Sequence, residues 1–216
     1  MRNMLFTVLM LLPFIVIGQT TEEIKYYESG AVKTKNNFVK VLQGEAIGYF
    51  ESGVIKSKTN YIDGKLQGEA NFYFESGAIK FKANYLDGKR QGEVIFYYES
   101  GAILTIRNFV DGVMQGEGIS YYESGAIKLQ LKANFVDGKE QVEMIRYFES
   151  GAVLSKTNLV DGVMQGESIY YFESGAIQQK ANYLDGKGQG EKIFYTLNGE
   201  IEKIENYKDG VLINNK

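Results

Sequence analysis

The sequence predicts an all-β fold, an elongated single-layer antiparallel β-meander of tandem β-hairpin repeats. Three observations carry this. A Tyr-Tyr/Phe-Glu-Ser-Gly block begins at Tyr26, Tyr49, Tyr73, Tyr97, Tyr121, Tyr147 and Tyr171, about 24 residues apart, with a degenerate eighth copy at Tyr195. Each copy holds two turn signals. Between the turns, apolar and polar residues alternate with period two, as in a half-buried strand. A period of this length marks an array whose units pack on their neighbours.

The copy from Tyr73 to Phe96 serves as the type. Its first turn, Glu75-Ser76-Gly77, reads as a three-residue hairpin loop whose last position needs positive φ, where glycine suffers no Cβ clash. Its second turn is Asp87-Gly88, a type I′ hairpin signal. Between them Ile79, Phe81, Ala83 and Tyr85 point one way and Lys80, Lys82 and Asn84 the other. The returning strand, Glu93 to Tyr98, is apolar on both parities. A third glycine follows in Gln91-Gly92-Glu93, and Val142 replaces it in one copy. These three positions hold 21 of the 25 glycines. In the copy after Gly125 the spacing grows by two residues within Ile127–Lys132. An even insertion keeps Ile127, Leu129, Leu131 and Phe135 on one face, whereas an odd one would flip the strand. Eight copies give about 16 strands and a sheet on the order of 75 Å long.

The chain has 216 residues, no His, no Cys, no Trp and one proline, Pro13. No imidazole base, thiol nucleophile, disulfide or common zinc site is available. The net charge is −3, which disfavours nucleic-acid binding and a polybasic grip on lipid. Residues 1–18 read as a secretory signal peptide: Arg2, the apolar run Leu5–Ile17, and a cut before Gln19 with Val16 and Gly18 at the −3 and −1 positions. The expected organisation is signal peptide 1–18, linker 19–25 and repeat domain 26–216, exported to the periplasm, cell envelope or exterior.

Tyr-x-Asp-Gly-Lys-x-x-Gly followed by an apolar-aromatic strand resembles the MORN repeat. The fuller unit, with Tyr-Tyr/Phe-Glu-Ser-Gly and a Lys-rich strand, resembles the MORN-repeat variant of bacteria and the YwqK-type antitoxin family. The resemblance covers Tyr26 to Gly210. It implies a repeat sheet and lipid, peptide or scaffold roles, with an antitoxin or immunity role, or peripheral membrane association, as alternatives.

A non-enzymatic binding or scaffold role is expected, with an unknown protein, peptide or glycan as partner and no cofactor or metal. The candidate contact residues are Tyr49, Tyr73, Tyr97, Tyr121, Tyr147 and Tyr171, a ladder about 10 Å apart. Cross-strand packing is their structural reading and a tyrosine-lined groove the functional one. The turn glutamates Glu51, Glu75, Glu99, Glu123, Glu149 and Glu173 read as a solvated edge, with a calcium-lined edge as the alternative. Glu69, Glu93, Glu117, Glu143, Glu167 and Glu191 are expected to face lysines as weak cross-strand ion pairs. An identical carboxylate in every copy is a structural signature, not a catalytic site. Open terminal strands favour an end-to-end homodimer.

Overall fold

A computed structural model describes residues 21–38, 42–136 and 139–215. The expected signal peptide and the turns at Lys40-Val41 and Asp137-Gly138 lie outside the described residues. The first half of the sheet is β1 (Thr21–Tyr26), β2 (Val32–Phe38), β3 (Leu42–Tyr49), β4 (Ile55–Ile62), β5 (Lys65–Leu66), β6 (Gly68–Tyr73), β7 (Ile79–Leu86), β8 (Lys89–Tyr97) and β9 (Ile103–Val110). The second is β10 (Val113–Tyr121), β11 (Ile127–Val136), β12 (Lys139–Tyr147), β13 (Val153–Val160), β14 (Val163–Tyr171), β15 (Ile177–Leu184), β16 (Lys187–Tyr195), β17 (Ile201–Lys208) and β18 (Val211–Asn215). No helix occurs among the described residues.

All 18 strands form one sheet. Each pairs antiparallel with its chain neighbours, except that β5 and β6 do not pair with each other. The excess over the expected 16 has two sources. β5 and β6 are one return strand interrupted at Gln67, both pairing with β4. And the stretch expected as a linker enters the sheet at Thr21, where β1 pairs with β2.

Both turns form as the glycines demand. At the first, the Phe74 N–H donates to the Ala78 carbonyl at 2.8 Å and the Gly77 N–H to the Phe74 carbonyl at 3.0 Å. Gly77 sits at φ 87°, the left-handed value that closes a three-residue loop. At the second, Asp87 and Gly88 have φ 51° and 81°, the two positive values of a type I′ turn.

The third glycine makes a two-residue bulge. In β7–β8 the pairing runs Lys82↔Ile95 and then Asn84↔Gln91, so Ala83 alone opposes three residues of β8. Gly92 takes φ 73° there, which costs an L-residue about 1–2 kcal/mol and glycine little. Toward the next repeat, Gly92 and Glu93 pair regularly with Phe109 and Asn108. The bulge belongs to one side of the strand.

This bulge corrects the expected ion pairs. Counting back from Asp87-Gly88 without a bulge would place Glu93 against Lys82. The two extra residues move Lys82 opposite Ile95. Glutamates instead oppose asparagines: Glu69↔Asn84, Glu93↔Asn108, Glu167↔Asn182 and Glu191↔Asn206. At Val142 the bulge is absent, and Glu143 stands opposite Lys132, as expected. Lys132 also faces Glu117. Among the described residues the ion pairs are Lys25–Glu23 and Lys203–Glu205.

The missing bulge also explains the longer copy. β11 and β12 pair without a register shift from Leu129↔Arg146 to Val136↔Lys139. An ordinary return strand such as β8 has nine residues and sets two of them aside in the bulge. β12 also has nine but sets none aside, so its outgoing partner must be two residues longer, and β11 supplies them.

The two faces differ in packing. One carries Phe81, Ala83 and Tyr85 of β7 against Val94 and Phe96 of β8 and Phe109 of β9, with Met114 beside them. Val94 is wholly buried, and Ala70, Ala83, Ser155 and Ser168 nearly so. Small side chains in the middle rows lie below the tops of the flanking aromatics, which excludes water even in a single layer. Phe72, Phe81 and Phe96 stack across three strands at centroid separations of 4.1 and 5.3 Å, each contact worth about 0.5–1.5 kcal/mol beyond its area. Thr105–Ser120 and Thr157–Ser168 hydroxyl pairs, both at 2.9 Å, satisfy polar groups on this face. The opposite face carries Lys80 and Asn84, both exposed.

Candidate functional site

Repeats are tied to the next along the Asp-Gly edge, and at several also along the Glu-Ser-Gly edge, and these ties place the candidate residues. On the Asp-Gly edge, the bulge receives the following repeat's turn. The N–H groups of Asp63, Asp87, Asp111 and Asp185 donate to the Oε1 atoms of Gln43, Gln67, Gln91 and Gln165 at 2.8–3.1 Å. The adjoining glycine N–H bonds to the preceding return strand, as Gly88 does to the Leu66 carbonyl at 2.9 Å. Sequence reasoning missed this glutamine. Its signal was present: Gln stands 20 residues before the Asp of each of these turns. At Gln141, where the bulge is lost, the Asp161 N–H bonds to the Glu140 carbonyl instead.

On the Glu-Ser-Gly edge the second aromatic of each pair makes the tie. The hydroxyls of Tyr27, Tyr98 and Tyr122 donate to the carbonyls of Tyr49, Tyr121 and Tyr147 at 2.8–3.0 Å. Rings at this position also lie under lysines, Tyr27 under Lys33 and Tyr122 under Lys128 at 5.3 and 5.4 Å, and Phe50 and Phe74 under Lys56 and Lys80, each at 5.6 Å; phenylalanine makes that contact without the hydroxyl tie. The turn glutamates beyond, Glu51, Glu75, Glu99, Glu123, Glu149 and Glu173, are exposed. No cluster of three or more potential metal-binding side chains occurs among the described residues.

The six candidate tyrosines end their return strands. Tyr49, Tyr73, Tyr97, Tyr121, Tyr147 and Tyr171 are all half-buried. They pair across a register shift with Ile55, Ile79, Ile103, Ile127, Val153 and Ile177. Strand alternation puts Tyr97 on the face of Ile95, Glu93 and Gln91, opposite the phenylalanine stack. The Tyr147 hydroxyl fits this placement, donating to Gln130 Oε1 at 2.9 Å, while Gln130 pairs with Ile145 on the same face.

That face is banded along the array. A tyrosine row runs beside the Glu-Ser-Gly edge. Next comes a row alternating isoleucine with lysine, such as Ile145↔Lys156 and Ile169↔Lys180. The Glu–Asn row follows, then the clamping glutamines. At the Asp-Gly edge stand exposed aliphatics, including Ile62, Leu86, Val110 and Leu184. Every band repeats at two strand spacings, about 10 Å.

Comparison with known families matches the MORN repeat variant over residues 42–63, 64–87, 90–111, 164–185 and 189–209, just over half the chain. The stretch 112–163, which contains Val142 and the longer β11, lies outside these matches. No curated protein matches the sequence. Among solved structures, a chain of the TcdB2-TccC3-Cdc42 crystal structure is 12% identical, with a TM-score of 0.24 over 88% of this chain and 13% of that one. The present chain thus spans a small part of that larger one. A porin-like protein from Bacteroides uniformis is 10% identical, with a TM-score of 0.23 over 92% of this chain and 96% of that one. Superpositions this loose say nothing further about the chain. Its repeats, their hairpin turns and the family match agree: the chain belongs to the MORN repeat variant family.

Proposed function

We propose that this protein is an exported, non-enzymatic scaffold that holds a protein, peptide or glycan along its tyrosine-bearing face. The row of six half-buried tyrosines at a constant spacing supports this reading most. Such a row offers an extended ligand the same ring and hydroxyl every 10 Å or so. Identical sites in series add weak contacts into a strong one when the ligand spans several. Chemistry that recurs in every repeat suits holding better than turnover, which needs a singular site. Export rests on the charged start and apolar run of residues 1–18.

The test is capture from envelope extract with the mature chain, followed by affinity measurement on whatever is enriched. Replacing Tyr97, Tyr121 and Tyr147 by alanine should weaken binding by at least thirtyfold, as loss of an aromatic hot spot does. A ligand bound equally well by the triple variant would refute the tyrosine row as the contact surface.

A further inference from the structure

One place in the array breaks its own rule on the phenylalanine-bearing face. Three residues after each Asp, the return strand places a side chain on that face between two aromatic or aliphatic neighbours. The occupants are Leu66, Arg90, Met114, Glu140, Met164 and Leu212, all with side chains that can fill the place, but Gly188 in β16. The result is a notch of about 280 Å³, lined on this face by Ala181, Tyr183, Gly188, Gly190, Lys192 and Tyr207. Tyr183 pairs directly with Gly188, and Tyr207 with Gly190. Gly188 does not need to be glycine for its backbone, since its φ lies outside the left-handed region, and a Cβ there would meet the Tyr207 ring at an ordinary 3.5 Å. What is missing is a side chain.

The chain shows what fills the equivalent place four repeats earlier. There Arg90 pairs with Tyr85. Its guanidinium lies 5.4 Å from the Phe109 ring centroid, and its Nε donates to the Tyr85 hydroxyl at 3.5 Å. Tyr183 and Tyr207 stand where Tyr85 and Phe109 stand. Both walls of the notch are therefore electron-rich phenols, better partners for a cation than the Tyr–Phe pair that already holds one. The charges nearby leave the space open. The Lys192 ammonium lies 5.0 Å over the Phe194 ring. Lys203 is paired with Glu205 at 2.5 Å, and the Tyr207 hydroxyl donates to the same carboxylate at 2.9 Å.

We propose that the notch at Gly188 receives an arginine side chain from a partner polypeptide, held between Tyr183 and Tyr207 as Arg90 is held between Tyr85 and Phe109. This site lies on the face opposite the tyrosine row, so it stands or falls independently of the proposed function.

The array supplies its own control: methionine fills this position at Met114 and Met164, so Gly188→Met closes the notch with a residue the fold already tolerates. The experiment is an NMR titration of the full chain, following the Tyr183 and Tyr207 ring signals. The probes are blocked tripeptides with arginine, lysine or methionine between glycines. The expected result is a saturable shift with the arginine peptide, at least fivefold tighter than with the other two, and a tenfold or greater loss in Gly188→Met. Arg90→Gly should create a second such site at Tyr85. Three results would overturn the proposal: no shift with arginine, an equal response to the methionine or lysine peptide, or arginine binding that survives Gly188→Met.

Discussion

Deleting Leu129 and Gln130 restores ordinary length to β11 but leaves Val142 where a bulge glycine would stand. The shortened hairpin then has to force Val142 toward positive φ, as Gly92 adopts at 73°, at about 1–2 kcal/mol for an L-residue. Gln130's hydrogen bonds with Tyr147 and with the exposed Glu117 are also lost, together about 1 kcal/mol, the exposed one adding little. The deletion should therefore cost about 2–3 kcal/mol. Val142→Gly alone loses β-strand preference without gaining a bulge, about 1 kcal/mol. Together the two changes rebuild the standard repeat, and only the two hydrogen bonds of Gln130 remain lost. The double variant should therefore be more stable than the deletion alone, with a coupling of about 2 kcal/mol. Urea unfolding followed by far-ultraviolet circular dichroism measures all four members of the cycle. Additive costs would refute the claim that the insertion and the missing bulge compensate each other.

Other outcomes follow from particular side chains. Val94→Ala removes a wholly buried side chain from the Phe81–Phe96–Phe109 cluster and should cost about 2 kcal/mol in the same assay. Ser155 has a buried Oγ with no hydrogen-bond partner among the described residues, so Ser155→Ala should be neutral or stabilising by up to about 1 kcal/mol; a clear loss of stability would contradict this. Gln67→Ala should speed amide exchange at Asp87, whose N–H it caps, and leave Asp161, bonded to a backbone carbonyl, unchanged. Burial, with Tyr170 adding, raises the pKa of Tyr183 above the usual tyrosine value. A raised folded pKa on an acid that is neutral when protonated gives stability that is complete below the unfolded pKa and lost as pH rises through the folded one. Alkaline unfolding curves should therefore flatten in Tyr183→Phe, and the late phase of a 295 nm titration, to which Tyr207 also contributes, should shrink.

The turns and strand alternation were legible because glycine and Asp-Gly report backbone angles directly. The Gln-Gly-Glu triplet was legible as punctuation but not as a bulge. A bulge changes who faces whom, which is why Glu93 was expected to face a lysine and stands opposite Asn108. The even insertion was read correctly as preserving faces, whereas its cause, the lost bulge at Val142, needed the register on both sides of β12. The glutamine clamps were hidden because their partners are backbone groups of the next repeat, which composition does not mark. Gly188 is one of the four glycines outside the three repeated turn positions, but the notch there needed the strand pairing to be seen. It is told apart by an ordinary φ and by the side chains that fill its equivalents.

All of this depends on an open sheet in which repeats touch only their neighbours. Small-angle X-ray scattering tests that most directly. Strands stacked at about 4.8 Å give an array on the order of 80 Å long, with a radius of gyration well above the roughly 16 Å of a compact domain of this size. A value near 16 Å would mean that distant repeats pack together, and would contradict the account.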